Sequence, residues 1–385
     1  MAANCWDPLC SLEIRRAAHT PMDQHLQRVD SAFSKIAESI AKSDSSYDSF
    51  LDDLIVSIKN LHGSRAEAYS RLGLSQNWAK LIFHIGRLLF ERLSLKELRA
   101  SRQFKLTTAD QVIRADLFER TGCFQSVIPE DIIKDIRVRL HSQLRGLKEN
   151  VMLGKTSREE LSTNKIPLDV VRYLNQVFID LDLLDPVSAC TGAGVGVSGF
   201  GLEISVPNAE WWSSNIPSGQ SRASTTAYFH RDETCFVPKA LIYLSDVDDY
   251  SGPFTICPSS FRQERSEVCR AASRVSTYAY QSDNRRLDQK QIGLFRQQLP
   301  EHLNISSHYG FDLPDDSAQA KAIIEDELRI TGMAGTCVVF DGYDLLHRGG
   351  LSVGRPRLAL QVMLPVFNPK LASWLNYLQR LDLPI

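Results

Sequence analysis

The chain has 385 residues, 43% apolar and 23% charged, with a formal net charge of -2. That mixture excludes a fibrous or wholly disordered protein and allows a sizeable core. The near-neutral balance points to neither nucleic acid nor an anionic membrane surface as partner. Eight cysteines are scattered without a CxxC pair, so no zinc site or dense disulfide framework is expected, and a reducing, cytoplasmic setting fits. The segment MAANCWDPLCSLEIRR lacks the basic and apolar regions of a signal peptide, and no apolar run reaches the roughly 18 residues of a transmembrane helix.

From Met22 to Ser101 the apolar residues recur three or four apart in DQHLQRVDSAFSKIAESIAKS, YDSFLDDLIVSIKNLHG and NWAKLIFHIGRLLFERLSLKELRAS. These predict three helices, the second capped by Asp44, Ser45 or Ser46 and stopped at Gly63, within a helical N-terminal region of residues 1–108. A second domain, 109–385, carries ADLFERTGCFQSVIPEDIIKDIRVRLHSQLRGLKE near its start. This segment reads as a short strand, a turn at Pro129 and an amphipathic helix with Glu130 and Asp131 at its start. The glycines of GAGVGVSGFGLEISVP are too irregular for a phosphate loop and predict turns and a strand. Beyond Thr225, TTAYFHRD, KALIYLSDV, GPFTICPS, GTCVVFDG and RLALQVMLPVF alternate with glycine and proline turns, the pattern of a jelly roll or sandwich. A polar, partly helical insertion separates them at about 261–328.

Two of these strands carry the chemistry. His230 and Asp232 are two apart in AYFHRDET, so on an extended strand both project to one side. His347, in FDGYDLLHRGG, follows a later strand that a jelly roll can return beside the first. Two imidazoles and a carboxylate form the facial triad of non-haem iron oxygenases, which leaves coordination positions open for a chelating 2-oxo acid and dioxygen. A lone His-x-Asp is more often a surface pair or a satisfied core histidine. Here it is joined by a distal histidine and, ten residues later, by Arg357 at the start of an apolar strand. A guanidinium fork matches a carboxylate, making Arg357 the expected anchor for the distal carboxylate of 2-oxoglutarate. Arg355 has the same parity but precedes Pro356, outside the regular strand.

Four segments, in order, resemble the phytanoyl-CoA dioxygenase family of iron(II)- and 2-oxoglutarate-dependent oxygenases. They are ADLFERTGCFQSVIPEDIIKDI, YFHRDET, ALIYLSDVDDYSGPFTICPSSF and GTCVVFDGYDLLHRGGLSVGRPRLALQV, spanning about Ala109 to Phe367. The resemblance implies a mainly β fold, a double-stranded β-helix of cupin-like jelly-roll form with flanking helices. It also implies iron(II) on His230, Asp232 and His347, 2-oxoglutarate on Arg357, and O2 as oxidant. Two departures stand out: Gly349 where relatives commonly carry serine, and no histidine after CPSSF. Related halogenases replace the carboxylate ligand by a small residue, so Asp232 favours hydroxylation or another oxidation over halogenation.

Other residues are read more plainly. Either Trp211 or Trp212 lines a substrate pocket, or the pair anchors its loop; Tyr228 shares parity with the ligands and should face the interior, as a contact or as packing. Cys235 and Cys257 are expected to be buried and structural, His62 to end a helix, and His308 to lie in a solvated loop. Between Arg262 and Arg296 eight basic residues face four acidic ones, the pattern either of a solvated surface or of a site for an anionic substrate. The expected activity is hydroxylation of an unactivated carbon of a small molecule, releasing succinate and CO2. The competing readings are a non-catalytic binding protein on the same barrel, or an oxygenase giving desaturation, cyclisation or epimerisation.

Overall fold

The computed structural model describes residues 104–153, 158–161, 167–207, 225–226, 228–232, 237–261 and 315–366. The expectations for residues 1–103, His62, Trp211, Trp212, Cys235, His308 and most of the insertion lie outside these residues.

The first described helix, α1 (Ala109–Thr121), was not expected from the sequence. Its apolar residues make no buried stripe: Val112 and Ile113 are 51% and 57% exposed, and only Gln111, Ala115 and Phe118 turn inward. The helix is specified by its ends instead. Thr108 and Gln111 form a reciprocal capping box, and Gly122, at φ 75°, closes the helix in the left-handed region. Strand β1 (Cys123–Val127) follows, then α2 (Glu130–Arg139), which starts behind Pro129 with Glu130 and Asp131 in its first turn. The single amphipathic helix expected here is divided at Leu140, which caps α2 and opens α3 (His141–Met152).

Strand β2 (Arg158–Leu161), helices α4 (Leu168–Asp180) and α5 (Leu184–Thr191) and strand β3 (Gly199–Ser205) complete the first half. Strands β4 (Lys239–Tyr243) and β5 (Phe254–Cys257) precede helix α6 (Ala318–Glu325). The chain then forms β6 (Leu328–Ile330), β7 (Thr336–Phe340), β8 (Leu346–Arg348) and β9 (Arg357–Met363).

All strand pairs are antiparallel, in two sheets ordered β1-β7-β4-β9-β3-β2 and β6-β5-β8. The second sheet is extended by a bridge between His230 and His347. Alternation gives the large sheet two apolar faces. Phe200, Leu202, Ile204, Ala240, Ile242, Val339, Leu360 and Val362 face outward and join Ile133, Ile136, Leu174, Val177 and Phe178 of α2 and α4 in one core. Leu241, Tyr243, Val338, Phe340 and Ala359 face inward and meet Phe254, Ile256 and Ile330 of the small sheet, with the Phe254 and Phe340 ring centres 4.8 Å apart. Burying each large apolar side chain contributes about 1.5–3 kcal/mol, so both interfaces hold the sheets in place. Two facing antiparallel sheets, one backed by helices, are the expected jelly-roll, double-stranded β-helix architecture.

No helix among the described residues is long and apolar enough to cross a membrane.

Candidate metal centre

His230, Asp232 and His347 converge at the inner face of the small sheet. One donor atom of each lies within 4.8 Å of the others. They converge differently from the simple strand expected. The segment before His230 is a turn, with Tyr228 at φ 65°, and His230 makes a single bridge instead of joining a regular strand. Reciprocal backbone bonds of 2.9 and 3.0 Å tie His230 to His347, and Asp232 N donates to Gly342 O at 2.7 Å. The positive φ breaks the alternation on which Tyr228's inward orientation was based, although its ring centre lies 5.2 Å from that of His230.

Both imidazoles are oriented for a ligand. His230 Nδ1 is 2.9 Å from Tyr228 O and His347 Nδ1 is 3.0 Å from Leu345 O. Each contact makes Nδ1 the protonated nitrogen and leaves Nε2 with its lone pair for coordination. The rings stand 4.4 Å apart, and Phe340 and Phe254 pack against His347 at 5.0 and 5.8 Å. Burial in this apolar setting pushes the His347 pKa down to about 3, against the pull of Asp232, so the ring is the neutral ligand form. Burial raises the Asp232 carboxyl, but Lys239, with His347 and His230, outweighs it and holds the group below the usual carboxylate range. Its Oδ1 lies 3.8 Å from His347 Nε2 and its Oδ2 2.9 Å from Lys239 Nζ. An imidazole pair whose Nδ1 atoms are turned to backbone carbonyls, beside an ionised carboxylate, fits a divalent cation.

The residues alternating with the ligands hold them from outside. Arg231 Nε donates to Asp344 O at 2.9 Å and Nη2 to Ser260 O at 3.0 Å. Arg348 donates to Thr225 O at 3.0 Å and Glu327 Oε2 at 2.7 Å, with its guanidinium 4.0 Å from the Phe229 ring centre. Ser260 Oγ accepts from Leu346 N at 2.8 Å, fixing β8.

Arg357 opens β9 on the same inward face as Ala359 and is 2% exposed. It pairs with Glu203 of β3 and donates to Gly252 O, while its Nε is buried without a hydrogen-bond partner. Arg355 points elsewhere: its side chain is 75% exposed and pairs with Asp248 at 3.1 Å. A Cβ at Gly349 would lie 3.4 Å from Arg357 Nη2, so this glycine stands beside the guanidinium. Sequence reasoning missed Glu203 and Lys239. For Glu203 the available signal was a lone acid at an alternating position in the apolar run GFGLEIS. Cys257 is buried as expected, and burial pushes its thiol up to about 12.

No family model matches the chain. No curated protein matches it either. Several solved structures are similar at low identity. One is the epimerase SnoN in complex with Fe3+, alpha ketoglutarate and nogalamycin RO, at 14% identity over 67% of this chain and 84% of that one, with a TM-score of 0.39. HygX from Streptomyces hygroscopicus, with nickel, 2-oxoglutarate and hygromycin B bound, is 12% identical over 68% and 88%, TM-score 0.38. EctD from S. alaskensis with bound Fe is 13% identical over 68% and 77%, TM-score 0.38.

Proposed function

We propose that the protein is an iron(II)- and 2-oxoglutarate-dependent oxygenase, with His230, Asp232 and His347 as metal ligands and Arg357 as the co-substrate anchor. The observation that carries this reading is the donor set itself: two imidazoles with Nδ1 at backbone carbonyls and one ionised carboxylate, within 4.8 Å, inside a jelly roll. Two histidines and a carboxylate suit non-haem iron with open positions. Arg357 supplies the second support, since its buried Nε–H is a donor awaiting an acceptor. The sequence resemblance to the phytanoyl-CoA dioxygenase family, which rests on four ordered segments, points the same way.

Iron(II) and 2-oxoglutarate, when bound, supply the oxidation of a C–H bond by dioxygen, coupled to decarboxylation to succinate and CO2. The chain's own residues would fix the ligands. Arg357, already paired with Glu203, would offer its unpartnered Nε–H to the co-substrate's distal carboxylate, and Phe254 and Phe340, packed on His347, would keep water out. The outcome we favour is hydroxylation of an unactivated carbon in a small molecule. The excess of basic residues between Arg262 and Arg296 supports an anionic one, with phosphorylated sugars, acyl-CoA and anionic glycolipids as the first compounds to screen.

Succinate formation by the purified protein with iron(II), ascorbate and 2-oxoglutarate in air tests the reading. Wild type should produce succinate with matching oxygen uptake, and His347→Ala should fall to background. Absence of succinate in every substrate mixture, or an active His347→Ala, would count against it.

A further inference from the structure

The inward face of β4 is apolar at Leu241 and mostly apolar at Tyr243, yet it opens with Lys239. In register this lysine sits between Phe340 of β7 and Met363 of β9, a setting in which a charge must have a partner. Its partner is a proposed metal ligand. Lys239 Nζ lies 2.9 Å from Asp232 Oδ2, the two side chains being 19% and 14% exposed, while Oδ1 faces His347 Nε2. The carboxylate is thereby divided, one oxygen toward the imidazoles and the other against an ammonium.

A cation beside a ligand oxygen opposes metal binding, and the triad alone gives no reason for it. Charge balance does. Around the triad and along the inward faces of β3, β4 and β9 lie two compensated pairs, Asp232 with Lys239 and Glu203 with Arg357, while Arg231 and the Arg348–Glu327 pair lie behind the ligands. A divalent metal then leaves a charge of about +2, which a dianionic 2-oxo acid cancels, whereas without Lys239 the loaded site would be left about one charge negative. We propose that Lys239 is a positioning residue that holds Asp232 to the metal through one oxygen and sets the centre's charge, weakening metal binding while strengthening binding of the dianionic co-substrate. This rests on the function proposed above and adds to it a residue outside the ligand set.

The two effects have opposite signs, which a merely structural role would not produce. Mn(II) affinity of the full chain is measured by electron paramagnetic resonance of the free ion, and 2-oxoglutarate affinity of the Mn(II)-loaded protein by anaerobic calorimetry. Lys239→Met should bind Mn(II) about tenfold more tightly and, once loaded, 2-oxoglutarate about tenfold more weakly, the scale expected for one charge in a largely buried site. Lys239→Gln should follow it, which covers a folding failure of the methionine variant, and Lys239→Arg should stay close to wild type in both. If both affinities weaken together, if neither changes, or if the arginine variant behaves like the methionine one, the role assigned to Lys239 is overturned. Wild type that fails to bind Mn(II) overturns the proposed function itself, and the two failures are thus told apart.

Discussion

A Cβ at Gly342 would overlap Asp232 Oδ2 and come within 3.2 Å of His347 Cε1, while the Gly342 carbonyl accepts from Asp232 N at 2.7 Å. The glycine therefore lets the backbone that fixes the carboxylate approach its side chain. Gly342→Ala should displace the carboxylate and lower divalent-metal affinity by about tenfold or more, while overpacking costs about 1–3 kcal/mol of stability. Metal titration beside urea denaturation separates the two effects, and unchanged affinity would show that Asp232 is not held as described. The triad and Arg357 were visible in the sequence because residue type and spacing carry them: an HxD pair, a distal histidine and an arginine ten residues on. Glu203 was not, because its partner Arg357 is 154 residues away and only the β3–β9 pairing unites them. Lys239 lies close to Asp232 in sequence, but nothing in the spacing separated it from a surface lysine at a strand start.

Strand β8 is only three residues long and cannot hold His347 in place by its own ladder alone. It is clamped from outside by Arg348, whose bond to Glu327 links β8 to the turn between α6 and β6. Both side chains of this ion pair are 8% exposed, but Glu327 also pairs with Arg329 at 2.7 Å, so Arg348→Met removes one of two partners and should destabilise the domain by about 1.5–3 kcal/mol. Chemical denaturation checks the loss. Adding Glu327→Gln should restore part of it, and a double variant no more stable than Arg348→Met would contradict the pairing. Elements were legible where burial enforces alternation. β4, β7 and β9 fell within the expected runs because each has one face on the helices and the other inside the barrel. The His230 segment was not read correctly, because a positive φ at Tyr228 and a single bridge leave no alternation to read. Helix α1 went unnoticed because its information lies in the Thr108–Gln111 box, while Val112 and Ile113 face solvent and only Ala115 and Phe118 of its apolar residues are buried.

At the scale of the molecule, two apolar layers place one small polar centre. The outer face of the large sheet is fixed by α2 and α4, and its inner face by Phe254, Ile256 and Ile330, which brings β8 and the Asp232 segment together over 100 residues of separation. The jelly roll was legible from its strand runs and turns; the helices α4 and α5 that back it were not read, although Val170, Leu174, Val177 and Phe178 recur at helical spacing and Gly192 closes α5 in the left-handed region. Our proposal is that this scaffold would hold iron(II) through His230, Asp232 and His347, with 2-oxoglutarate beside Arg357. Its most direct test is anaerobic titration of the metal-free protein with iron(II) and then 2-oxoglutarate, followed by visible absorbance. Wild type should give a weak metal-to-ligand charge-transfer band that saturates stoichiometrically, Arg357→Lys should need more 2-oxoglutarate to reach it, and His347→Ala should lack it. No band in wild type, or an undiminished band in His347→Ala, would contradict the proposal.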